Sequence, residues 1–132
     1  MPIYTPKFNE TEFKGGKNIL ASQHLQFIEA GGTLDATAFD VGYHESGTLV
    51  ARNTTTGKFE PYAEETTEDG AVVPSGYDNF AITNVDFEND GVNDMIIGEL
   101  IVRGSVYEDK LASAVPATFK EANPLIRYVT HI

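Results

Sequence analysis

The chain contains no cysteine. A disulfide framework, a thiolate metal site and a cysteine nucleophile are therefore all excluded, and the fold must hold by packing, by subunit association or by both. Apolar residues never run on long enough to cross a bilayer. Basic residues are few: 9 Lys and Arg stand against 20 Asp and Glu, a formal net charge of −11. A nucleic-acid backbone demands a basic patch, so neither DNA nor RNA is an expected partner. Residues 1–18 lack the basic-then-apolar order of a signal peptide, so a soluble protein without conventional export is expected, with no membrane partner.

The familiar catalytic patterns are also missing. No Gly-x-Ser-x-Gly exists to expose a hydroxyl on a strained turn, and neither a Walker pattern nor Gly-x-Gly-x-x-Gly is present to cradle phosphate. His24, His44 and His131 are far apart, and His44-Glu45 has no second histidine four residues later. Ser75-Gly76-Tyr77-Asp78 is similar to the first motif of trimeric dUTP pyrophosphatases, but the C-terminus, Arg127 to Ile132, is not their glycine-rich phosphate-binding tail. No enzyme activity, cofactor or metal is expected.

What is present is apolar material for one modest core: 132 residues at 41% hydrophobic suit a single domain. Lys7, Lys14 and Lys17 against Glu10 and Glu12 leave residues 1–18 at +1, so the remainder carries −12. This leader has Pro2, Pro6 and Gly15-Gly16, with Ile3, Tyr4, Phe8 and Phe13 set in polar sequence without a sustained period. It reads as an extended arm, residues 1–18, whose four apolar side chains order when it docks on a partner. Residues 19–132 read as a β-rich domain, sandwich-like or barrel-like with one or two short helices. Short runs of Val, Ile, Thr, Phe and Tyr alternate with turn signals at Gly31-Gly32, Ser46-Gly47, Thr56-Gly57, Asp69-Gly70, Ser75-Gly76 and Asp90-Gly91.

The clearest strand spans Met95–Val106, with Ile96, Leu100, Val102 and Val106 on a core face and Ile97, Glu99, Ile101 and Arg103 on a mixed face. Ile101 is thus a candidate for a subunit boundary. Tyr107–Ala114 suits a turn or short helix, Pro116 opens another through Ala122, and Asn123-Pro124 stops it. Leu125–Ile132 alternates as a terminal strand. The stretch Asp86–Asp94 imitates a calcium loop, yet Ile97 stands where a bidentate Glu is needed, so a polar hairpin between Phe80–Val85 and Met95–Val106 is the expected form. Glu64-Glu65 and Glu68-Asp69 suit a solvated loop.

One order of elements carries a family pattern. Gly47–Asn53 is followed by Thr56-Gly57-Lys58-Phe59-Glu60-Pro61-Tyr62, by Asp69-Gly70, by Ala81–Asp86, by the Asp94–Val102 strand, and by Arg103-Gly104 before Leu111. This order resembles the lambda-type head decoration proteins of tailed phages over roughly residues 47–111. Tyr77–Ile82 replaces that family's small-residue segment, and residues 114–132 have no counterpart. The resemblance implies a β-rich homotrimer at three-fold and local three-fold positions on the outer capsid surface. Its arm would reach the major capsid protein, with assembly in the host cytoplasm and a place in the virion. The rival readings are a tail or baseplate module, or a small calcium- or carbohydrate-binding β module built on Asp86–Asp94.

Overall fold

The structure, a computed structural model, describes residues 18–130. It is mainly β, with 42% strand and 8% helix, and its principal sheet curls into a half-barrel. The strands are β1 (Gln26–Phe27), β2 (Gly32–Leu34), β3 (Gly42–His44), β4 (Leu49–Asn53), β5 (Phe59–Pro61), β6 (Glu65–Thr67) and β7 (Gly70–Val72). They continue with β8 (Tyr77–Thr83), β9 (Phe87–Asn89), β10 (Met95–Ile97), β11 (Leu100–Tyr107) and β12 (Ile126–Val129). The main sheet runs β1-β11-β8-β4-β5-β2-β10, with β12 added in parallel to β11; β3 pairs with β9 and β6 with β7 in separate ribbons. β10 forms one end of the order and leads across two residues into β11, the second strand from the other end, so the chain itself bends the sheet round.

The central strands are buried on both faces, which a half-exposed sheet would not require. Leu49, Ile82 and Ile101 belong to one buried cluster with Ile19, Val106, Leu111, Phe119 and Ile126. Their chain neighbours Val50, Ala81 and Leu100 belong to another, with Leu34, Phe39, Phe59, Phe87 and Ile97. Register explains the division: Leu49 and Ile101 both lie opposite Ile82, and Val50 lies opposite Ala81. Successive side chains in a strand point to opposite faces, so each central strand serves two cores at once.

This arrangement corrects the reading of Met95–Val106 as one strand with one core face. The chain breaks at Gly98-Glu99, which lets Ile97 and Leu100, three residues apart, enter the same cluster. Ile96 is 82% exposed rather than buried, while Ile101 is fully buried inside the domain and stands at no subunit boundary. A second irregularity falls between Ile101 and Arg103, which lie opposite the adjacent residues Phe27 and Gln26, just before Gly104 with its φ of 146°. It turns Val106 toward the cluster that holds Ile101, five residues away.

The expected hairpin around Asp90-Gly91 is likewise corrected. β8 and β11 do pair, through Leu100 opposite Thr83 and Ile101 opposite Ile82. Between them the chain makes an excursion in which β9 pairs with β3 and β10 with β2.

After β11 a single 3-10 turn covers Glu108–Lys110, and one short helix, α1 (Ala117–Ala122), follows Pro116, whose φ of −65° suits a helix start. Phe119 is fully buried, its ring edge-on to Tyr62 at 5.0 Å and to Phe80 at 6.2 Å. Asn123 ends the helix as expected, and its Nδ2 donates to the carbonyls of Phe80 and Val102. The terminal strand is present as β12, with Ile126 buried.

Candidate interaction surfaces

Ile3, Tyr4, Phe8 and Phe13 lie outside the described residues, as does His131. The point from which that leader departs is well defined. Ile19 is fully buried, Leu20 bridges Val106, Tyr107 N donates to Ile19 O at 2.8 Å and Ala21 N to Ser105 O at 2.9 Å. An apolar plug flanked by ladder hydrogen bonds fixes the chain against β11 at the Tyr107 end. Any pull on residues 1–17 is therefore transmitted to the main sheet.

An open cleft of about 400 Å³ lies on the other part of the sheet, its lining including Ile28, Ala30, Arg52, Phe59, Asn79 and Ile96. Ala30 (φ 64°) and Asn79 (φ 47°) are the non-glycine residues with positive φ among those described, and both line it. Arg52 makes two hydrogen bonds to Asp78, at 2.8 and 2.7 Å, and this pairing holds the Asp78 carboxyl below its ordinary range. The cleft joins an exposed aliphatic side chain, Ile96, to a fixed ion pair.

The stretch that imitates a calcium loop directs its oxygens to separate places. Asp86 accepts hydrogen bonds from Ser46 N and the Tyr43 hydroxyl. Asp90 accepts from the backbone of Asn93 and Val92 and from the Asn93 amide, which together hold its pKa down. Asp94 pairs with Lys58 at 2.7 Å and accepts from Ala36 N, again lowering its pKa. Among the described residues no group of three or more His, Asp and Glu is placed to hold a metal ion.

Asn89, which the sequence offers only as one oxygen-bearing residue of the Asp86–Asp94 stretch, is 1% exposed and its Nδ2 donates to the carbonyls of Ala36, Phe39 and Asp40. It clamps the loop between β2 and β3. The Asn-Asp-Gly sequence around it signals only a turn, and nothing local marks partners some fifty positions away.

The remaining polar candidates also disperse. His44 donates from Nε2 to Asp40 O and stacks on Phe87 with ring centroids 4.9 Å apart. Ser75 donates to Glu65, Tyr77 to Glu60, and Asp78 pairs with Arg52, so Ser75-Gly76-Tyr77-Asp78 does not converge on one point. Glu64-Glu65 and Glu68-Asp69 fall on the β6–β7 ribbon, where residues 63–72 are all exposed. Tyr62 donates to Thr118 Oγ1, which donates to Glu64, tying the base of that ribbon to α1.

No helix among the described residues is long and apolar enough to cross a membrane. Compared with protein-family models, curated proteins and solved structures, the chain gives no match.

Proposed function

We propose that this chain is a phage head decoration protein, a non-enzymatic homotrimer that binds the outside of the expanded capsid and stabilises it. The observation that carries the reading is the spatial sense of the sequence resemblance. Four of its segments, in β4, β5, β8 and β11, are consecutive neighbours in one sheet, and residues 19–21 are pinned to the edge of β11. Residues 1–17 then act as the arm. An extended segment that adds to a strand edge gains backbone hydrogen bonds, while Ile3, Tyr4, Phe8 and Phe13 fill pockets on the major capsid protein. Three such arms on one trimer bind multivalently, so weak single contacts sum to firm attachment. Because the protein binds the assembled shell and not its dispersed subunits, occupancy stabilises the shell.

The reading of Asp86–Asp94 as a calcium or carbohydrate site is less favoured, since its carboxylates face different partners. A tail or baseplate module remains the rival among virion components, and particle location separates the two. The test is cryo-imaging of purified particles with the full chain and with residues 1–17 deleted. Density at three-fold and local three-fold positions is expected with the full chain and not with the deletion, whose body stays folded. Density on the tail, or undiminished head binding by the deletion, would overturn the reading. Particles saturated with the protein are also expected to release DNA at higher temperature than stripped particles.

A further inference from the structure

We propose that copies of this chain dock on one another asymmetrically, the acidic β6–β7 ribbon of one copy lying against Arg103 and Arg127 of the next. The inference stands apart from the decoration reading. It begins with the ribbon, a separate two-stranded sheet whose register is Glu65 opposite Val72, Thr66 opposite Ala71 and Thr67 opposite Gly70. Every residue from Ala63 to Val72 is exposed, so neither face is covered by the other described residues. A two-stranded ribbon without a buried face is marginal in water. Its ties to the body are polar and near its base: Ser75 to Glu65 and Thr118 to Glu64.

Charge identifies the occupant. From Phe59 to Val102 the chain has 11 carboxylates and no Lys or Arg, and four of those carboxylates, Glu64, Glu65, Glu68 and Asp69, sit on or beside the ribbon. Among the described residues Arg52, Lys58 and Lys120 are already paired, with Asp78, Asp94 and Glu108. Lys110 lies over the Tyr107 ring. Arg103 and Arg127 are exposed, with no carboxylate of the described residues within ion-pair distance. They occupy one end of the main sheet: Arg127 in β12 lies opposite Ser105, two residues beyond Arg103 in β11. A guanidinium binds a carboxylate through two parallel hydrogen bonds, so two exposed arginines suit a ribbon that offers carboxylates alone.

The contact joins two different patches, so it is heterologous and closes into a ring when the rotation between copies allows. The net charge of −11 opposes association at long range. Salt at about 0.1 M screens that repulsion beyond roughly 10 Å and leaves pairs in contact less affected.

The test is sedimentation equilibrium of the full chain in about 0.1 M salt, with circular dichroism confirming that each variant is folded. The wild type is expected to self-associate. Glu68→Lys with Asp69→Lys, and separately Arg103→Glu with Arg127→Glu, are each expected to weaken association about tenfold. Combining all four restores the opposite charges and is expected to recover most of that loss. A monomeric wild type, an assembly indifferent to either reversal, or a combined variant no better than the single reversals would each overturn the proposal. Because the measurement uses no capsid, its failure leaves capsid attachment and trimer assembly on the shell untouched, and success leaves them still to be tested on particles.

Discussion

Replacing Asn89 by alanine removes a clamp that joins β9 to the loop between β2 and β3. The amide has two hydrogens, and its Nδ2 lies 2.9, 2.9 and 3.2 Å from the carbonyls of Ala36, Phe39 and Asp40, so at least one hydrogen is shared. Its Oδ1 also accepts from Gly91 N at 3.0 Å. Two donated bonds and one accepted bond at about 1 kcal/mol each give a loss of about 3 kcal/mol. Leaving the carbonyls dry would cost more, but the loop can open to water and limit the penalty. Asn89→Asp separates donation from volume, because a carboxylate would face three carbonyl oxygens in a buried place. Its pKa in the folded state would rise, so this variant should lose stability as pH climbs above the unfolded aspartate value near 4 and level off past the raised value. Urea unfolding between pH 4 and 8 reads both effects. An Asn89→Ala cost within about 0.5 kcal/mol of zero, or an Asn89→Asp variant that tracks the alanine variant at every pH, would refute the clamp.

Phe119→Ala, which empties the space between Tyr62 and Phe80, is expected to cost about 4 kcal/mol in chemical denaturation, whereas Phe119→Leu should cost much less. Asp78, Asp90 and Asp94 all have pKa values held below the ordinary 3.8 by hydrogen bonds and cations. Their contribution to stability is complete above that value and lost as pH falls through the depressed ones, so the urea midpoint should drop below about pH 4. Asp94→Asn, which ends the pairing with Lys58, should flatten that drop. Calcium and chelator are expected to leave the melting temperature unchanged, since Asp86, Asp90 and Asp94 face different partners; a clear calcium-dependent rise would show that the loop rearranges to bind.

Much of the local structure was legible in the residues. Each of the six turn signals contains a glycine with positive φ, a conformation decided by the absence of a Cβ and hence by the sequence alone. Pro116 and Asn123-Pro124 bounded the helix for equally local reasons, and alternation from Leu125 onward announced β12. The mainly β class followed from the same density of turns and β-branched residues.

What alternation could not reveal was a sheet with two cores. Period-two reasoning assigns one face to the interior, and it therefore placed Ile96 inside and Ile101 at a boundary. The structure buries Ile101 and exposes Ile96, because Gly98-Glu99 breaks the alternation between them and because Leu49–Ile82–Ile101 and Val50–Ala81 meet opposite covers. Nor could the composition of Asp86–Asp94 tell a loop that gathers oxygens from one that sends them apart. That depends on Lys58, Ser46, Tyr43 and Ala36, which are distant in sequence and come near only when the sheet has closed. Local conformation was fixed by each residue's own covalent geometry, whereas burial and hydrogen-bond partners were fixed by contacts between segments that only the folded chain brings together.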